Sequence, residues 1–167
     1  MARTILIAAL AALGLAPGAA QAAARAADPT PPAPAVTPAG QVLMARQAHF
    51  REQNAAVKAL NDELKKDPPD KAAIAADATR IKSSAAALPT WFPKGSGPET
   101  GLKTAAKAEI WTDAEGFAAA ATQLQTAAAK LGEVAMTGDL EAINAQDRAV
   151  GAACGACHTK YRAAAQP

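Results

Sequence analysis

From residue 41 onward the larger apolar side chains recur every seven positions. Leu43, Phe50, Val57 and Leu64 form one such series, and Ile110, Phe117, Leu124 and Leu131 form another. This repeat is the sign of amphipathic helices packed at shallow angles. Composition agrees, because the 167 residues include 50 alanines and only 34 larger apolar residues, few of them β-branched. Such a chain favours helix over sheet. Seven of the 34 lie in the first 15 residues, leaving 27 for the core of a mature chain of 145 residues. That is thin for a domain expected to bury about two thirds of its surface. Something besides side chains is expected to fill part of the interior.

The charges nearly cancel, at 17 Lys plus Arg against 15 Asp plus Glu, so no polybasic surface for nucleic acid is indicated. Residues 1–22 read as a secretory signal: Arg3 opens it, Ile5 to Leu15 form the apolar stretch, and Ala20-Gln21-Ala22 is a small-residue cleavage site. Gly14, Pro17 and Gly18 break the run, which is too short to span a bilayer. Export to the periplasm with cleavage, and no stable membrane insertion, is the expectation. Residues 23–40 hold five prolines among alanines and read as a disordered leader. Residues 41–167 then form the folded domain.

Four helices are expected in it. The first covers about 41–66 and is ended by Pro68 and Pro69, and the second covers about 70–87 and is stopped by Pro89. Residues 89–102, with three prolines and three glycines, make a long connection that Trp91 and Phe92 anchor to the core. A third helix covers about 104–136, its first turns irregular. Gly138 and Asp139 supply a stop and a cap before the fourth, about 139–164. Four helices of this size most simply make an antiparallel four-helix bundle, an all-α fold.

The last helix carries Cys154-Gly155-Ala156-Cys157-His158, the C-x-x-C-H signature of covalent c-type haem attachment. Two thiols one helical turn apart can each add to a vinyl group of one porphyrin, and the adjoining imidazole then reaches the iron. A thioredoxin-like redox pair would need strands alternating with helices, and zinc would need a second ligand pair that the chain lacks. One covalently bound haem c also answers the thin core.

With this motif on the last of four helices, the chain resembles cytochrome c prime, the class II c-type cytochromes. The resemblance runs over most of residues 41–163. It is carried by Cys154 to Arg162, by Glu109-Ile110-Trp111-Thr112-Asp113 with Phe117 following, and by Thr137-Gly138-Asp139-Leu140. It implies thioethers at Cys154 and Cys157, His158 as the proximal axial ligand, and Arg162 as a basic residue near the proximal pocket, a solvated Arg being the alternative. On the first helix it places the pair Arg46-Gln47 just before Phe50, the residue covering the other haem face. An Arg on an apolar stripe needs an anionic partner, and a haem propionate is one; snorkelling to solvent is the other reading. Phe50 is alternatively ordinary core.

The departures from the family pattern are the proline-rich leader and His49, which points about 100° from Phe50 around the helix and is read as a surface or interface residue. The resemblance implies five-coordinate high-spin iron that binds small diatomic gases such as nitric oxide and carbon monoxide and undergoes one-electron redox chemistry with an unidentified redox partner. A homodimer through the first two helices is also implied. No enzyme constellation is visible. The competing reading is a six-coordinate electron carrier in which Met44 or Met136 supplies the sixth ligand.

Overall fold

A computed structural model describes residues 37–164 of the chain, all within one compact unit. The signal expected at 1–22 and the leader up to residue 36 lie outside the described residues. Among the described residues there are five α-helices: α1 (Pro38–Glu63), α2 (Lys71–Ala87), a single turn α3 (Glu109–Thr112), α4 (Ala114–Thr137) and α5 (Leu140–Tyr161). α1 packs on α2, α2 on α4 and α4 on α5, giving the four-helix bundle, and α1 and α5 flank a groove.

Two boundaries differ from expectation. α1 starts at Pro38, inside the proposed leader, because the Thr37 hydroxyl accepts from the Gly40 N–H and proline is suited to the first helical position. The third helix, expected from about residue 104, starts only at Glu109, because Ala106 pairs with Arg162 instead, and it is broken at Asp113, whose φ of −118° and ψ of 58° leave the helical region. The seven-residue repeat nevertheless crosses the break, and both Ile110 and Phe117 are buried. Asp113 restarts the helix by accepting from the Gly116 N–H. The α4–α5 turn matches expectation: Gly138 sits at φ 68° and the Asp139 carboxylate accepts from the N–H groups of Glu141 and Ala142.

The core lies between α2 and α4. On α2 the buried apolar series is Ile74, Ala78, Ile81 and Ala85, continued by Leu88 just past its end, and on α4 it is Phe117, Ala121, Leu124, Ala128, Leu131 and Ala135. Large and small residues alternate on both, so the two backbones approach closely and side chains interdigitate. α1 is organised differently from the expected stripe. Leu60 is fully buried and Ala56 nearly so, but Phe50 and Val57 are only partly buried, since they line the groove rather than a helix interface. None of the described helices is long and apolar enough to cross a membrane.

Candidate haem-binding site

The groove is an apolar cavity of about 680 Å³ reaching from α1 and α5 down to Ile81, Phe92, Ile110, Phe117 and Leu124. One face of α5 lines it at helical spacing: Asp147, Val150, Gly151, Cys154, Cys157, His158, Tyr161 and Arg162. From α1 come Leu43, Arg46, Gln47, Phe50, Gln53, Asn54, Val57 and Asn61. Every residue singled out from the sequence as a site residue therefore borders one cavity.

The register across the groove follows from one contact and helical geometry. The Asn61 amide donates to Asp147 Oδ1 at 3.4 Å, joining α1 to α5 at one end. Because the two helices run antiparallel, eleven residues back along α1 and eleven forward along α5 both advance ~16 Å in the same direction. Those steps arrive at Phe50 and His158. Phe50 and His158 line the same cavity from α1 and α5, as do Arg46 and Arg162 one helical turn further on.

Cys154 and Cys157 are free and half-buried, and burial pushes both thiols up. For Cys154 the neighbouring Cys157 and Asp147 add to the rise. His158 lies at the exposed mouth. Partial desolvation, and then the positive charge of Arg162, lower its pKa, favouring the neutral imidazole whose lone pair a metal takes.

Arg46 is 4% exposed. Its Nη2 donates to the Ser96 carbonyl at 2.6 Å, and its guanidinium lies 4.8 Å from the Phe92 ring centroid and 5.8 Å from that of Trp111. Its Nη1 is buried with no partner among the described residues. Burial lowers its pKa, partly opposed by the charge of Glu99. A buried cationic donor left unmatched is costly, so an anionic group in the cavity fits it. A porphyrin with propionates meets both needs of this chain: an apolar body for the cavity and an anion for Nη1. Snorkelling is excluded by the burial of Arg46. Gln47 and Arg162 are exposed and border the cavity rim.

Phe50 stands edge-on to Trp91 at 5.1 Å and to Phe92 at 6.1 Å between ring centroids. His49 turns away from the cavity and stacks on Trp91 at 4.9 Å, with 17° between the planes. Met44 and Met136 are 58% and 76% exposed, and neither lines the cavity.

Three features escaped the sequence reading. Asp147 lies two turns before Cys154 on the same face, a spacing that was visible; desolvation raises its pKa, while the Asn61 amide and Arg148 oppose the rise. The segment before α3 pairs with the end of α5 through an isolated antiparallel bridge between Ala106 and Arg162. Asp113 reaches the same end of α5, accepting from the Tyr161 hydroxyl at 2.9 Å. Neither long-range contact carries a periodic signal in the sequence.

A helical bundle whose last helix turns two cysteines and an adjoining histidine into an apolar, arginine-edged cavity defines the c-type haem proteins of bundle fold. Within that class the chain belongs to the cytochrome c′ family, whose model matches residues 41–162. Its cofactor is accordingly covalently attached haem c. The chain is 40% identical over 107 residues to the cytochrome c′ of Rhodospirillum rubrum, covering 64% of this chain and 71% of that one. It superposes with a TM-score of 0.69 and 29% identity on a cytochrome c′ with ligand-controlled dimer dissociation, covering 78% and 99% of the two chains. A nitric oxide complex of a variant cytochrome c′ from Alcaligenes xylosoxidans gives a TM-score of 0.68 and 28% identity, over 76% and 97% of the chains.

Proposed function

We propose that this chain is a periplasmic haem protein that binds small uncharged gases, nitric oxide and carbon monoxide, at a five-coordinate iron and exchanges single electrons through it. Cys154 and Cys157 carry the thioethers and His158 is the axial ligand. The bound haem supplies an iron that cycles between two oxidation states and accepts a small sixth ligand. What supports this reading is that Phe50 from α1 and His158 at the end of α5 line the same apolar cavity. A phenyl ring has no lone pair to offer a metal and excludes water from the space it covers. Charged anions must shed their hydration to enter such a space, and neutral diatomics need not.

Arg46 holds a propionate from α1, and Gln47 and Arg162 stand at the rim. Residues 1–22 direct export and are removed, and α1 and α2 form a homodimer interface. The protein binds ligands and electrons and turns over no substrate of its own. Exposure of both candidate methionines outside the cavity speaks against the purely electron-carrying alternative. The selectivity of the haem-loaded protein tests the reading: nitric oxide and carbon monoxide should bind at concentrations where cyanide and azide do not. Equal or tighter binding of the anions would overturn it.

A further inference from the structure

The His158 imidazole has no hydrogen-bond partner or ion pair among the described residues. An iron-ligating histidine is ordinarily oriented by a partner on its second ring nitrogen. Here the orientation of the ring must come from the backbone that carries it, the last turn of α5. That turn is held in two ways. One is the neighbouring segment, in which the Lys107 N–H donates to the Tyr161 carbonyl at 3.0 Å, the Ala163 N–H to the Ala105 carbonyl at 2.8 Å, and the Lys107 ammonium to the Lys160 carbonyl at 3.2 Å.

The other is a single carboxylate. Asp113 accepts from the Tyr161 hydroxyl at 2.9 Å, pairs with the Lys160 ammonium at 2.5 Å, and accepts from the Gly116 N–H at 3.2 Å. Tyr161 is 3% exposed, borders the haem cavity and meets Phe117 edge-on at 5.3 Å. Space is left for this arrangement: a Cβ at position 116 would stand 2.6 Å from the Tyr161 Oη and closer still to Asp113 Oδ2. One carboxylate thus fixes both the start of α4 and the side chain three residues after His158. Its low pKa, set first by Lys160 and then by Tyr161 and Gly116, keeps it charged.

We propose that Asp113 is a positioning residue for the axial ligand: by gripping Tyr161 and Lys160 from the α3–α4 break, it sets the rotation of the last turn of α5 and so the orientation of the His158 ring. The backbone bridge limits how far that turn slides. The carboxylate limits how far it rotates. This rests on His158 being the iron ligand.

The test is resonance Raman spectroscopy of the ferrous haem-loaded full chain, reading the iron–histidine stretching band, with denaturant unfolding measured beside it. Asp113→Ala is expected to shift and broaden the band. Tyr161→Phe keeps the ring packing and should shift the band in the same direction by less. In the double variant Tyr161→Phe should add almost nothing, since both changes break one linkage. Asp113→Asn, which still caps α4 and accepts from Tyr161, should recover most of the native band, and it keeps the test open if Asp113→Ala fails to fold.

A stability loss with an unmoved band in Asp113→Ala or Tyr161→Phe, or additive shifts in the double variant, would overturn the proposal and leave Asp113 as a helix cap. An iron–histidine band that persists unchanged in His158→Ala would instead refute His158 as the ligand.

Discussion

Replacing Phe50 by alanine isolates the side chain that separates a gas-binding cavity from a closed one. For a ligand to reach the space that Phe50 covers, the ring must leave its two edge-to-face contacts, with Trp91 and with Phe92. Each such contact is worth about 0.5–1.5 kcal/mol, so leaving both costs roughly 1–3 kcal/mol. At 1.36 kcal/mol per tenfold in rate, removing that cost speeds entry by roughly 5- to 150-fold. The assay is the association rate of carbon monoxide with the ferrous haem-loaded protein after flash photolysis, compared for unmutated, Phe50→Leu and Phe50→Ala chains. Leucine retains bulk without the ring contacts and should fall between the other two. Phe50 is only partly buried, so the alanine variant should lose about 2 kcal/mol of stability, half of what a fully buried ring costs. A change in rate of less than about twofold would show that Phe50 is no gate, because a ring that ligands need not displace contributes no barrier.

Three further outcomes follow from the site. Denaturing mass spectrometry should find the haem mass retained on the chain, retained through one bond in either Cys154→Ala or Cys157→Ala, and lost on unfolding when both are changed. Arg46→Met in the haem-loaded protein should lower denaturant stability by about 2 kcal/mol, the worth of a charge-assisted hydrogen bond, and a gain in stability would show that Nη1 meets no anion there. The Asp113 carboxyl is held below its ordinary range by Lys160, Tyr161 and the Gly116 N–H, so its contribution is present above about pH 4 and is lost as pH falls through the lower folded value. The stability gap between unmutated and Asp113→Asn proteins should accordingly narrow on acidification, and a widening gap would contradict the assignment.

How much of this was readable in the sequence depends on whether a feature is local. The caps at Gly138 and Asp139, the helix-breaking prolines and the Cys-x-x-Cys-His turn are all set within a few residues, and each lies where the sequence puts it. Periodicity was harder to interpret on α1. It marks Leu43, Phe50 and Val57 as one face without saying what that face meets, and they line a cavity while Ala56, Leu60 and Glu63 are buried away from it. A groove between helices distant in sequence leaves no repeat of its own. The break at Asp113 was hidden for the opposite reason, because the apolar spacing of Ile110 and Phe117 continues through it. What fixes the break is a carboxylate serving both the Gly116 N–H and Tyr161, a long-range contact that no local propensity encodes. The start of α1 at Pro38 was legible in principle, since a threonine before a proline is a helix entry signal. The surrounding prolines obscured it.

An iron held by His158 with an open sixth position under Phe50 is tested most directly by the optical spectrum of the reduced haem-loaded protein before and after carbon monoxide. A five-coordinate high-spin ferrous spectrum that converts to a low-spin form on adding the gas is the predicted result. A six-coordinate low-spin spectrum that carbon monoxide leaves unchanged would contradict it.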